Sequence, residues 1–263
     1  MGVFGTYEWA ISNANFINGC SHDCKYCYSK EMAIRFKRKT PATWSKEVVN
    51  KSSLNRTFHK PNKDGYIMFP SSHDVTPLHL DESLKFLRNM LEAGNKVLIV
   101  TKPHLSVIRE ICKEFKDYKE KILFRFTIGS VNSDILKFWE PNAPDYQERK
   151  QSVIYAYRHG FMTSLSCEPM LDANIDEVVN DLQKFVTDSI WIGKANFLIR
   201  RLTANHSTDK ETIKKAHELI NLQSDDNIKK LYKRLSKNKK IKWKESVKKV
   251  VGLNISESKG CDV

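Results

Sequence analysis

Short runs of β-branched and aromatic residues alternate along this chain with longer stretches whose apolar residues recur every three or four positions. That alternation predicts repeated βα units around a parallel sheet, an α/β architecture. The predicted strands are 66–69, 96–101, 122–128, 162–167, 189–193 and 240–244. Helices are predicted at 81–93, where Leu84, Leu87 and Leu91 share a face, and at 105–115, 145–159 and 175–185. Gly94 and Gly160 fall where a helix end calls for a left-handed residue.

Two strands reveal which way they face. Ile122, Phe124, Phe126 and Ile128 share one side and Arg125 and Thr127 the other, which predicts helices outside and a polar, functional interior. In the next strand Ser164, Ser166 and Glu168 form the polar side, opposite Leu165 and Cys167. Cys167 is therefore read as a packed, outward residue. Segment 35–60 is basic, carries Trp44 and Phe58 without clear periodicity, and reads as a helix end plus a long connection. Residues 210–249 are dense in lysine and read as helices before the strand-like KIKWKE, with Leu231, Tyr232, Leu235, Ile241 and Trp243 able to pack them on the main domain.

Composition narrows the picture. With 263 residues, 40% of them hydrophobic, the chain can close one large core, so one main domain is expected. No stretch approaches the roughly 18 consecutive apolar residues of a membrane span, and the first residues lack a basic segment followed by an apolar one. A cytoplasmic protein with no membrane partner is the expectation. The formal charge of +13 makes nucleic acid a candidate partner, although a solvated lysine-rich surface accounts for the same number. Six cysteines, three of them crowded into residues 20–27, do not resemble a disulfide framework and point to metal in a reducing compartment.

The crowded stretch, NFINGCSHDCKYCYSK, holds Cys20, Cys24 and Cys27 in a C-x3-C-x2-C spacing. Three thiolates in one loop suit an iron-sulfur cluster with one iron left open, because zinc sites of similar appearance add a second ligand pair, and none follows. His22 keeps a Cys3His zinc site as the competing reading, though its place between Cys20 and Cys24 strains convergence on one ion.

This loop, with an aromatic beside its last cysteine and a βα array after it, resembles the signature of the radical S-adenosylmethionine (SAM) superfamily. The resemblance implies a partial (β/α)6-type barrel over residues 1–205, with a lysine-rich helical extension over 206–263. It also implies a [4Fe-4S] cluster on Cys20, Cys24 and Cys27, SAM bound to the open iron, and a reductant such as flavodoxin or ferredoxin.

Three further stretches, the Thr101–Lys102 pair, FRFTIGS at 124–130 and WEPNAPDYQER at 139–149, are similar to the spore photoproduct lyase-like branch, also called DNA repair photolyase-like proteins. By that resemblance Lys102 pairs with the SAM carboxylate, Thr127 hydrogen-bonds the same end, and Ser72 and His73 contact the cofactor. Tyr26 and Tyr28 are then expected near cluster and adenine, and Glu140 with Arg149 is expected to be a structural pair. One departure stands out. Where the lyases carry a hydrogen-donating cysteine, this chain has Ser71 in FPSSHDVTP, so the spore photoproduct reaction is not expected.

His73, Glu168 and Lys194 are the catalytic candidates, with Asn196 beside them, because they end strands or sit in the loops at the strand C-termini. The leading expectation is a radical SAM enzyme that abstracts hydrogen from a nucleic-acid or nucleotide-like substrate. The alternatives are the same chemistry on a peptide or small metabolite, and a non-catalytic, metal-stapled nucleic-acid-binding protein.

Overall fold

The computed structural model describes residues 2–60 and 62–260. After a 3-10 turn at Gly5–Glu8 come β1 (Ser12–Asn13), β2 (Ile17–Asn18), α1 (Tyr28–Arg35), β3 (Val48–Val49) and α2 (Lys51–Leu54). A regular alternation follows: β4 (Tyr66–Phe69), α3 (Leu80–Glu92), β5 (Lys96–Thr101), α4 (Leu105–Glu114), β6 (Ile122–Thr127), α5 (Ser133–Trp139), α6 (Tyr146–Arg158), β7 (Met162–Cys167), α7 (Ile175–Leu182) and β8 (Ile190–Ile192). The chain then runs through α8 (Leu198–Ala204), α9 (Lys210–Leu222), α10 (Asp225–Leu235), β9 (Ile241–Trp243) and α11 (Glu245–Val251).

Seven strands form one parallel sheet in the order β1-β4-β5-β6-β7-β8-β9, while β2 and β3 pair antiparallel beside it. With β1 and β9 at its two ends the sheet stays open, as a partial α/β barrel does. Three strands cover the predicted spans, and the other three are shorter by one residue at one or both ends. Helix α7 stops early because its last turn tightens into a 3-10 turn at Gln183–Phe185. Gly94 and Gly160 do adopt left-handed φ, +88° and +78°.

The period-2 pattern sorts the side chains as expected. Phe69, Ile99, Phe124, Phe126, Leu165, Cys167 and Ile192 pack outward against Phe86, Leu87, Met90, Ile108, Ile111, Val153 and Val179 of the helices. Each large apolar side chain so buried stabilises the fold by about 1.5–3 kcal/mol. Met68, Leu98, Leu123 and Trp191 point inward and meet Trp9 from the N-terminal turn. Arg125, on the inner side of β6, belongs to this packing. Its guanidinium lies 4.8 Å from the Trp9 ring and 5.2 Å from Trp191, and Nε donates to Ser164 Oγ at 2.9 Å.

The lysine-rich segment is joined to this sheet. Strand β9 pairs with β8 in the register Ile190↔Ile241, so the segment after residue 205 adds an edge strand to the sheet. Ile228, Leu231 and Leu235 of α10 are buried, Tyr232 packs on Trp243, and Lys229, Lys230 and Lys233 face solvent. Residues 261–263, the end of the expected extension, lie outside the described residues. No helix among the described residues is long and apolar enough to cross a membrane.

Candidate active site

At the C-terminal ends of the strands the inner face opens into a cavity of about 490 Å³, within the usual range for ligand sites. Strand alternation supplies its lining: Met68 of β4, Val100 of β5, Thr127 of β6 and Ser166 of β7, with Pro70, Lys102, Glu168 and Lys244 each one residue past the end of β4, β5, β7 and β9.

Cys20, Cys24 and Cys27 all line this cavity. Gly19 leads into their loop at φ +104°, where a Cβ would come within 2.6 Å of the Trp44 and Lys46 carbonyls, so only glycine fits. Backbone bonds then set the path: Cys20 N–H donates to the Trp44 carbonyl at 3.1 Å and Lys25 N–H to that of Trp139 at 2.9 Å. Cys27 caps α1, its Sγ accepting the Lys30 N–H at 3.4 Å. Buried Glu47 accepts from the Ser21 N–H and hydroxyl at 2.8 Å and from Thr76 at 2.9 Å, tying the loop to the segment after β4. From the far end of the chain, Asn205 donates to the carbonyls of Lys25 and Cys27, both at 2.9 Å.

Three thiols on one cavity wall are the donor type that an iron-sulfur cluster takes. Burial raises all three thiol pKa values, that of Cys24 to about 12, as it does for Cys112 in the outer core, so the shift itself marks burial. Among the described residues no three Cys, His, Asp or Glu side chains converge on a single-ion site. The Cys3His zinc reading fails on His22, whose Nδ1 lies 3.2 Å from Asp74 Oδ2 and whose Nε2 lies 3.0 Å from His104 Nε2.

Behind the cysteines lies a buried charge network. Burial opposes ionisation of Asp74, but His22, Lys102 and the Thr101 hydroxyl outweigh it and hold the carboxyl well below the usual range. Lys102 lines the cavity with Nζ 3.8 Å from Glu140 Oε1. Burial disfavours its charge, yet Cys24, Glu140 and Asp74 raise its pKa above the ordinary value. Lys102 therefore already has its buried anions within the protein, and its desolvation does not require a cofactor carboxylate to justify it. Glu140 and Arg149 form the expected fully buried pair at 2.6 Å, and Arg149 also donates to the Pro144 and Thr127 carbonyls. The Tyr26 hydroxyl donates to Glu140, and that of Tyr28 to the Ser71 carbonyl.

Tyr26, Tyr28, Ser72, His73, Lys102, Thr127, Glu168 and Lys194 are all brought to this one cavity. Asn15 orders the loop after β4, its Oδ1 accepting the N–H groups of Ser71 and Ser72 at 2.8 and 2.9 Å. The acid-base role expected of His73 is not supported. Its Nδ1 faces the Asp74 carbonyl at 2.9 Å and its Nε2 the Phe16 N–H at 3.5 Å, and burial lowers its pKa to about 4. His73 is thus neutral near pH 7 and holds the loop. A group buried neutral in this way contributes stability that is complete above its ordinary value of 6.5 and is lost as pH falls through about 4. Between pH 7 and 4.5 the native protein is expected to lose about 2 kcal/mol more stability than a His73→Asn variant. Urea midpoints at the two pH values check this, and parallel losses in both proteins would overturn it.

Lys194 sits at the rim, 3.3 Å from Asp225, and Asn196 lies 3.4 Å from Glu245. Glu168 faces the cavity beside a group that sequence reasoning missed. Lys244 is 1% exposed, with Nζ 2.7 Å from Glu8, 3.5 Å from Glu168, 2.9 Å from the Gly5 carbonyl and 4.2 Å from the Trp9 ring. Burial raises the pKa of Glu8 to about 7 against the opposing pull of Lys244, and burial raises that of Glu168 as well. The signal was available in the strand parity, since Lys242 and Lys244 alternate with outward Ile241 and Trp243. Glu47 and Asn205 carried no comparable signal.

A partial parallel barrel with three cavity-lining thiols at its open end agrees with the family comparison: residues 14–186 match the model of the Radical SAM superfamily. The chain belongs to that superfamily, a class of enzymes whose cofactors are a [4Fe-4S] cluster and SAM. Among curated proteins it is similar to an uncharacterized protein of Acidianus two-tailed virus, 25% identical over 197 residues, covering 70% of this chain and 64% of that protein. Among solved structures it is similar to a cysteine-to-alanine mutant of spore photoproduct lyase, with a TM-score of 0.52, 13% identity, and coverage of 75% of this chain and 61% of that one. A mutant of the same lyase with bound AdoMet and dinucleoside spore photoproduct matches with a TM-score of 0.51 at 12% identity. The chain spans less than two thirds of the length of these relatives.

Proposed function

We propose that this protein is a cytoplasmic radical SAM enzyme of the spore photoproduct lyase-like branch that takes a hydrogen atom from a nucleic-acid or nucleotide-like substrate. The observation that carries this reading is the placing of three thiols, two of them buried, with Lys102 and Thr127 around one cavity. The cluster and SAM, when bound, would supply the one-electron reductive chemistry. The protein's part is to bind, orient and exclude water. Cys20, Cys24 and Cys27 hold the cluster, the Lys102 ammonium and the Thr127 hydroxyl hold the SAM carboxylate, and Tyr26 is fixed beside them by its bond to Glu140.

The substrate class rests on the resemblance to the spore photoproduct lyase-like branch and on the formal charge of +13, since the cavity's own cations Lys102, Lys194, Arg201 and Lys244 each have a carboxylate partner in the fold. The spore photoproduct reaction itself is a poor fit. Among the described residues the three loop cysteines are the only thiols at the cavity, since Cys112 and Cys167 are buried in the outer core. The Ser71 hydroxyl, bonded to Asn15 at 2.8 Å, cannot replace a thiol because its O–H bond is too strong to give up a hydrogen atom.

Anaerobically reconstituted, chemically reduced protein mixed with SAM is expected to form 5′-deoxyadenosine, read by mass spectrometry. Lys102→Met is expected to raise the KM for SAM more than about tenfold through loss of a charge-assisted bond. Absence of 5′-deoxyadenosine from reconstituted, iron-replete protein would refute the proposal.

A further inference from the structure

Phe197 is 64% exposed and takes φ +55°, a left-handed conformation that a bulky L residue adopts only when its surroundings impose it. The surroundings are visible. The Gln223 side chain accepts the Ala195 N–H at 2.7 Å on one side, and the Phe197 carbonyl accepts the Arg201 N–H at 3.0 Å on the other. The fold thus strains its backbone to present an aromatic ring that gains little from burial. The ring immediately follows cavity-lining Asn196, and Arg201, which also lines the cavity, is one helical turn further on.

Its neighbours share a theme. The Arg200 guanidinium lies 4.4 Å from the Phe197 ring, and that of Arg201 lies 6.0 Å from the ring of Tyr28, which is 42% exposed at the cavity wall. One carboxylate, Glu31, serves both guanidiniums at 3.1 and 3.9 Å, so this edge keeps a net positive charge on a chain of net +13. Exposed aromatic faces interleaved with arginines are what unstacked bases and their phosphates require, and a base-paired duplex offers no free base face to such a ring.

We infer that Phe197, with Tyr28, Arg200 and Arg201, forms a stacking platform at the cavity mouth for single-stranded nucleic acid. This rests on the nucleic-acid reading above and deepens it. An unpaired base stacks on Phe197, the guanidiniums meet its flanking phosphates, and the next nucleotide is delivered to the cavity.

The test is fluorescence anisotropy of the full chain with a labelled ten-nucleotide oligothymidine and with a matched duplex, across a salt series. Phe197→Gly relieves the left-handed strain, so its folding is not at risk, and it is expected to weaken single-strand binding about tenfold without changing the salt slope. Phe197→Trp is expected to restore binding, and Arg200→Gln to make the salt slope shallower by about 0.7. Equal affinity in Phe197→Gly, or preference for the duplex, would overturn the platform. Native protein that forms 5′-deoxyadenosine yet binds neither probe would overturn it too, while leaving the enzyme class standing.

Discussion

Replacing Cys24 with alanine is expected to abolish iron retention at the loop and lower 5′-deoxyadenosine formation more than about 100-fold, since loss of a ligand costs more than loss of a neighbour supporting it. The fold is expected to survive. The loop is shaped by Gly19, by the Trp44 and Trp139 carbonyls, and by Asn205 reaching across from α8, and none of these contacts uses the Cys24 sulfur. Removing a buried thiol whose pKa stands near 12 also removes a group that is costly to ionise there. Iron and sulfide content, visible charge-transfer absorbance and product yield check the loss, while a urea melt checks the fold. Cys167→Ala, in the outer core, is the control that retains cofactor and activity. A Cys24→Ala protein with full iron content would show that the ligands lie elsewhere.

Lys244→Met is expected to destabilise the protein by about 3–5 kcal/mol, a large part of a typical total of 5–15. Two carboxylates share this one buried ammonium, Glu8 at 2.7 Å and Glu168 at 3.5 Å, and its removal leaves buried Glu8 without its counter-charge and in the field of Glu168 at the cavity wall. The sign of the pH dependence follows from Glu8, whose pKa in the fold is raised to about 7 by burial. Protonation is favoured in the folded state, so stability falls as pH rises from about 4.5 to about 7 and then levels off, and the lysine's removal extends that fall to higher pH. The variant is therefore expected to lie closest to the native protein at pH 5 and furthest at pH 8. Adding Glu8→Gln to Lys244→Met is expected to recover part of the loss, because it removes an unpaired charge. Urea midpoints for the three proteins at both pH values give the answer, and a pH-independent difference would show that lost packing is the cause.

The βα array was legible from short apolar runs alternating with helical patterns, as the spans of β4, β5 and β7 illustrate, because strands of a parallel sheet are covered on both faces and read as brief hydrophobic runs. Side-chain parity placed Thr127, Ser166 and Glu168 inward and Cys167 outward. The cysteine loop was legible because its ligands are local, eight residues of chain carrying all three sulfurs. His73 was read too generously: its position at the cavity was right, but while Nδ1 faces the carbonyl of its neighbour Asp74, Nε2 faces the N–H of Phe16, 57 residues earlier, which only folding brings near. The lysine-rich segment was expected to pack on the barrel, and its strand β9 proves to be hydrogen-bonded into the sheet.

What the sequence determined by itself was everything carried by near neighbours: strand and helix spans, the inward and outward faces, and the thiol triad with its spacing. Tertiary structure alone decided which distant charges meet. Glu8 and Lys244 lie 236 positions apart, and Asn205 holds a loop some 180 residues before it. Local pattern records only whether a side chain faces in or out, whereas the partner that makes burying a charge tolerable is chosen when the sheet brings the two ends of the chain together.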